Sequence, residues 1–162
     1  MIFLSHLSKS RLGYLTAIIV IIADQVTKFW VLKKIMLPPR IININEYFNL
    51  VLTWNNGISF GLFNNDSEIN ALVISLIAIV IIIFLIRLLS NAETKKLNIG
   101  FGLIIGGAIG NIIDRALYGA VMDFLDVHIG AYHWPAFNIA DSSITIGAII
   151  LIADSLFSQK KN

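Results

Sequence analysis

Most of the acidic residues that matter in this chain stand where an acid is costly. Asp24 and Lys28 fall four residues apart inside the apolar run "LGYLTAIIVIIADQVTKFWVL", so on a helix they share one face. Asn111, Asp114 and Arg115 end a second apolar run, Asp141 opens a third in "FNIADSSITIG", and Asp123 and Asp126 lie between those two. Two carboxylates in one site do not ionise together easily. Repulsion and low dielectric raise one apparent pKa, and the pair holds one proton between them. The ionised partner can take a proton from water while the protonated partner donates to the carbonyl oxygen of a scissile amide, which is aspartic-protease chemistry. Spacing alone leaves open which two aspartates pair. Plainer readings stand beside this one: Asp24 with Lys28 as a local ion pair, Asp114 with Arg115 as a helix-end anchor, and Asp141 with its serines as a helix cap.

Other chemistries lack their residues. With no cysteine in the chain, disulfides, thiolate nucleophiles and cysteine metal ligands are excluded. His6, His128 and His133 show no metal-ligand spacing, none lies within a helix where a serine–histidine pair could form, and no serine is well placed to use Lys28. There is no Gly-rich phosphate loop. No metal or other cofactor is expected.

The elements that must position these residues follow from composition. Of 162 residues, 57% are hydrophobic and 14% charged, and the mean hydropathy is +0.81. Soluble domains run at about 45–50% apolar and about 25% charged, so part of the solvent must be lipid. Four segments approach the roughly 20 apolar residues that cross a bilayer, near 12–32, 69–89, 99–117 and 139–157. The first is too long for a signal-peptide core and reads as a retained span. A single membrane domain is expected over 1–162. The net charge of +2 is too small and dispersed for nucleic-acid binding.

Lys9, Arg11, Arg87, Lys95, Lys96, Lys160 and Lys161 place both termini and the 90–98 link in the cytoplasm, with Lys33 and Lys34 arguing mildly against. Charge from three helices then meets at one membrane depth, with Asp123 and Asp126 near it. Residues 33–68 and 118–138 become outer loops. Short strands are expected in "IININEYFNLVLTW", an interfacial apolar stretch in "NNGISFGLF", and headgroup contacts from Trp30, Trp54, Tyr132 and Trp134. Gly102, Gly106 and Gly110 repeat at intervals of four and allow close helix approach. Asp154 reads as interfacial, and His6, Glu46, Asp66, Glu68 and Glu93 as solvated or interfacial. A proton- or ion-coupled transporter is the alternative function, disfavoured because the acids lie at one depth. A scaffold built on the glycine face is a third.

Five patches in order, "DQVTK", "NNGISFG", "GGAIGNIIDR", "VMDF" and "FNIADSSITIG", make the chain resemble bacterial lipoprotein signal peptidase, or signal peptidase II. Ser59 departs from the alanine more usual in that family. The resemblance implies an all-α membrane protein of four transmembrane helices with a small extracytoplasmic β-cradle and an outer-surface helix. It implies an aspartic endopeptidase of the bacterial cytoplasmic membrane, active at the outer face. Its substrates would be prolipoproteins, cut on the amino side of a diacylglyceryl-modified cysteine. Asp123 and Asp141 would be the catalytic pair. Asp24, Lys28, Asn55, Gly57, Asn111, Asp114, Arg115 and Asn138 would bind substrate or support the site, Asp114 as a partner of Arg115 or of a neighbouring backbone group. Membrane lipid and cyclic peptide antibiotics such as globomycin are the other implied partners, and a monomer is expected.

Overall fold

A computed structural model describes residues 2–57 and 67–158, with side chains described for 10–57 and 69–157. Four helices dominate: α1 (Ile2–Trp30), running on into a wider π-helical turn (Val31–Ile35), then α2 (Ser67–Ser90), α3 (Lys95–Tyr118) and α4 (Ile139–Ser158). Each holds a stretch long and apolar enough to cross a membrane: Ser10–Ile35, Ile69–Ser90, Lys95–Tyr118 and Ile139–Phe157. The chain is a multi-pass membrane protein.

The seam of α1 shows why these helices pack as they do. Ser10, Gly13, Ala17, Val20, Asp24, Lys28 and Val31 are all buried and recur every three or four residues, so they form one stripe. The other faces carry exposed Leu15, Ile18, Ile19, Ile22, Val26 and Phe29, which suit lipid. Helix α3 is central and packs against α1, α2 and α4. Its glycine stripe meets the α1 seam. A Cβ at Gly106 would sit 2.6 Å from the Ala17 carbonyl oxygen, and one at Gly110 would sit 2.7 Å from Asp24 Oδ2. Gly107, on the adjacent face, lets Ala140 of α4 approach just as closely. Thr94 starts α3 by accepting from the Leu97 N–H at 3.1 Å.

At one end of the bundle lies an antiparallel sheet in the order β1 (Ile42–Asn45), β2 (Phe48–Asn55), β3 (Val121–Ile129), β4 (Tyr132–His133). Strand β2 opposes Asn49 to Asp126 and Thr53 to Asp123, with an irregularity on β2 between Leu50 and Thr53. Val31, Met36, Met122 and Phe124 bury the sheet against the helix ends, with Leu50, Leu52 and Ile139 packed around them.

The four-helix bundle with a small sheet agrees with expectation, but the connections need correcting. Residues 118–138 are not simply a loop, because most of them form β3 and β4, and Asp123 and Asp126 lie within a strand. The strands expected in 41–54 are present as β1 and β2. Trp30, Trp54, Tyr132 and Trp134 are exposed at the sheet end, Trp54 packing on Tyr118 with ring centroids 5.2 Å apart and the rings tilted at 55°. Most of "NNGISFGLF", including Ser59, lies outside the described residues, as do Asp66 and the side chains of His6 and Glu68. The backbone of His6 is helical, because α1 begins before it, contrary to the expectation that no histidine lies within a helix. No separate surface helix occurs among the described residues.

Candidate active site

The first turn of α4 brings Asp141 into place. Asn138 is the cap. Its side-chain oxygen accepts from the Asp141 N–H at 2.9 Å, and Asp141 Oδ2 accepts in return from the Asn138 N–H at 3.2 Å. This is a reciprocal capping box, with an amide and a carboxylate as its two ends. The cap is therefore Asn138, and Asp141 sits in the helix as its third residue. The other oxygen, Asp141 Oδ1, accepts from Asn111 Nδ2 of α3 at 2.8 Å.

Asp123 reaches the same pair of amides from β3. Its Oδ1 accepts from Asn138 Nδ2 at 2.8 Å, and that nitrogen lies 3.2 Å from Asn111 Oδ1. Asn138 and Asn111 thus bridge Asp123 to Asp141. On its other side Asp123 Oδ2 accepts from Asn55 Nδ2 at 3.1 Å. Asn55 is itself fixed at the end of β2, where its Oδ1 accepts from the Gly57 N–H at 2.8 Å. That turn needs φ of +78° at Gly57, a conformation in which only glycine is unstrained.

Asp123 is 2% exposed, whereas Asp141 is half-buried. Burial raises the Asp123 carboxyl to about 6; the charge of Asp141 adds to the rise, and hydrogen bonds from Asn55 and Asn138 oppose it. The surroundings of Asp123 therefore favour its holding a proton.

Behind these two lies a layer of buried charge. Lys28 Nζ is 2.8 Å from Asp24 Oδ2 and 2.8 Å from Asp114 Oδ2. Gln25 Nε2 braces the pair, at 3.1 Å from Asp24 Oδ2 and 3.0 Å from Asp114 Oδ1. The local Asp24–Lys28 pair is present as expected. Asp114 pairs with Lys28 rather than with Arg115, and its Oδ2 accepts from the Met122 N–H at 3.0 Å. Arg115 reaches only the Asn111 carbonyl, at 3.4 Å, and its buried Nε has no hydrogen-bond partner among the described residues. An apolar groove of about 370 Å³, lined by Trp134, Phe137, Ser142, Thr145 and Ile146, opens at Asp141.

Asp126 stands apart. It accepts from Asn49 Nδ2 at 2.9 Å and contacts His133 Nδ1 at 2.9 Å, and His133 stacks on His128 with centroids 4.7 Å apart. Among the described residues, no group of three or more His, Cys, Asp or Glu side chains could hold a metal ion. The expected residues Asp24, Lys28, Asn55, Gly57, Asn111, Asp114, Asp123, Asn138 and Asp141 therefore form one connected set, with Arg115 at its edge. Gln25 was not anticipated. Its place next to Asp24 in the "DQVTK" patch was the hint.

Comparison with known proteins shows the family. The family model for signal peptidase (SPase) II matches residues 16–157. A lipoprotein signal peptidase of Francisella tularensis subsp. novicida (strain U112) is 45% identical over 163 residues, covering 97% of this chain and 99% of that one. One of Rhodopseudomonas palustris (strain TIE-1) is 43% identical over 151 residues, covering 90% and 92%. Two solved bacterial membrane enzymes superpose with TM-scores of 0.78, at 33% and 32% identity, covering 89% and 93% of this chain and 92% and 91% of theirs. A match that runs through all four spans and both carboxylate-bearing elements places the chain in the signal peptidase II family.

Proposed function

We propose that this chain removes signal peptides from prolipoproteins, cleaving on the amino side of a diacylglyceryl-modified cysteine, with Asp123 and Asp141 as the catalytic pair. The observation that carries the proposal is the bridge of Asn138 and Asn111 between two aspartates delivered by a strand and a helix start. A water between them loses a proton to Asp141 and attacks the scissile carbonyl carbon, while Asp123 donates its proton to the carbonyl oxygen. The tetrahedral intermediate returns a hydroxyl proton to Asp123 as the carbon–nitrogen bond breaks. The leaving amine takes the proton held by Asp141. Atoms balance with one water consumed, and the pair ends in its starting state.

The supporting residues fit this course. Asn55 and the Gly57 turn form the wall through which an extended peptide meets Asp123. Arg115 stands near both aspartates, and its guanidinium can bind a substrate carbonyl. The apolar groove at Asp141 suits an acyl chain that stays in lipid while the peptide meets water. In this reading the sheet lies at the outer face of the bacterial cytoplasmic membrane, both termini are cytoplasmic, the protein works as a monomer, and globomycin-like cyclic peptides compete for the site.

The test is cleavage of a lipid-modified prolipoprotein by the purified protein in detergent. Wild type is expected to cleave with or without a chelator, and folded Asp123→Asn and Asp141→Asn proteins are expected not to. Normal cleavage by either variant would sink the pairing.

A further inference from the structure

We propose that Lys28 is a positioning residue that sets the spacing of both catalytic aspartates, acting through Asp24 and Asp114. The proposal rests on the assignment of Asp123 and Asp141 as the reacting pair. The residue immediately before each of them is held by its backbone N–H. Ala140, before Asp141, donates to Asp24 Oδ1 at 3.0 Å. Met122, before Asp123, donates to Asp114 Oδ2 at 3.0 Å. The two clamping carboxylates meet on one ammonium, with Lys28 Nζ at 2.8 Å from each. One continuous path therefore runs from the strand that carries Asp123 to the helix that carries Asp141, with Lys28 at its midpoint.

The remaining geometry supports a positioning role over a chemical one. The ammonium also lies 3.5 Å from Asn111 Oδ1, and Asn111 in turn donates to Asp141. None of the hydrogen bonds made by Lys28 goes to Asp123 or Asp141. Lys28 is 4% exposed, with Asp24 and Asp114 at 0% and 1%. Methionine would fill much the same space without the desolvation cost of a buried ammonium, so packing does not call for the charge. Without it, Asp24 and Asp114 become unpaired like charges braced only by Gln25, and the two N–H clamps lose their common anchor. A displacement of about 1 Å at a reacting group is enough to cost roughly 100-fold in rate.

Charge gives a second signature. Asp123 is faced by Asn55 from β2, Asn138 and Asp141 from the start of α4, Arg115 from α3, and Lys28 from α1. The positive charge of Lys28 favours the ionised form of Asp123. Removing it favours the protonated form, so the alkaline limb of the pH–rate profile moves to higher pH.

The experiment compares wild type and Lys28→Met in detergent on a lipid-modified prolipoprotein, with Asp123→Asn as control and thermal melting to count folded protein. Per folded molecule, kcat is expected to fall about 30- to 100-fold, KM to stay within about threefold, and the alkaline limb to move up. A lowered melting temperature with wild-type kcat and pH profile would make Lys28 purely structural and overturn the proposal. If Lys28→Met does not fold, Lys28→Met/Asp24→Asn/Asp114→Asn replaces it, being neutral at all three positions and still able to accept both N–H groups. The same fall in kcat supports the proposal, and wild-type kcat overturns it. A wild type that cannot cleave, or an Asp123→Asn protein that can, overturns the catalytic pair and this inference together. Wild-type kinetics in a folded Lys28 variant overturns this inference alone.

Discussion

Strand β3 carries two buried aspartates three residues apart, and they are held in opposite ways. Residues three apart on a strand point to opposite faces, so Asp123 turns toward the helix ends and Asp126 toward β4. Asp123 is satisfied by amides alone, from Asn55 and Asn138, and burial raises its carboxyl to about 6. At Asp126 the upward push from burial is outweighed by the hydrogen bonds from Asn49 and His133 and the charge of the histidines taken together, and the carboxyl is held below its ordinary value. The same residue type on one strand is thus poised to trade a proton on one face and kept as a fixed anion on the other. What separates them is the balance of effects: burial prevails at Asp123, whereas at Asp126 the hydrogen bonds from Asn49 and His133, with the histidine charge, prevail over it.

The largest test of that contrast is in rate. Asp123→Asn is expected to lower cleavage by roughly 10²- to 10⁴-fold, the usual share of a general acid or base. Asp126→Asn should leave kcat within a few-fold of wild type. A comparable loss at both would make the two faces one functional unit.

An intermediate effect is expected at Asn138. Replacing it with alanine removes the donor to Asp123 and the cap of α4 together. A fall of roughly 10- to 100-fold in kcat should accompany about 1 kcal/mol of lost stability from the missing cap. Loss of stability without loss of rate would confine Asn138 to capping.

The smallest effect, in melting temperature, has opposite signs on the two faces. A carboxyl raised above its unfolded value of 3.8 supports the fold while protonated and loses that support as pH rises through about 6. Asp123→Asn cannot ionise, so above pH 6 it should melt at least as high as wild type. A carboxyl held low supports the fold above its unfolded value and loses that support as pH falls through its folded value. Asp126→Asn should therefore melt below wild type at neutral pH, and the gap should close in acid. Thermal melts of both variants from pH 3 to 8 read the two signs directly.

How much of this was legible before the structure differs by element. The four spans follow from apolar length, and the α1 seam from the spacing of small and polar residues. The convergence of Asp24, Asp114 and Asp141 was readable from their places in the first, third and fourth spans. Strand β3 was not. Aspartate is a poor strand former, "VMDFLDVHI" contains two, and the partner β2 lies some seventy residues earlier, so nothing local announces the pairing. Lys28 as partner of Asp114 was hidden for the same reason, since it depends on the register of α1 against α3. Asn138 was different. The spacing Asn-x-x-Asp at 138–141 is a capping signature in plain view, and it assigns the cap to Asn138 instead of Asp141.

Asn138 also bears on how this protein could change under selection. One side chain donates to Asp123, approaches Asn111 and the Met122 carbonyl, and caps the helix that begins beside it. Aspartate there would lose the donors, serine would lose the reach, and glutamine would misplace both ends. On the role proposed for Asn138, a substitution that redraws that amide network to escape a bound compound also weakens catalysis. Resistance would then arise more readily elsewhere, in expression, permeability or the composition of the membrane around it.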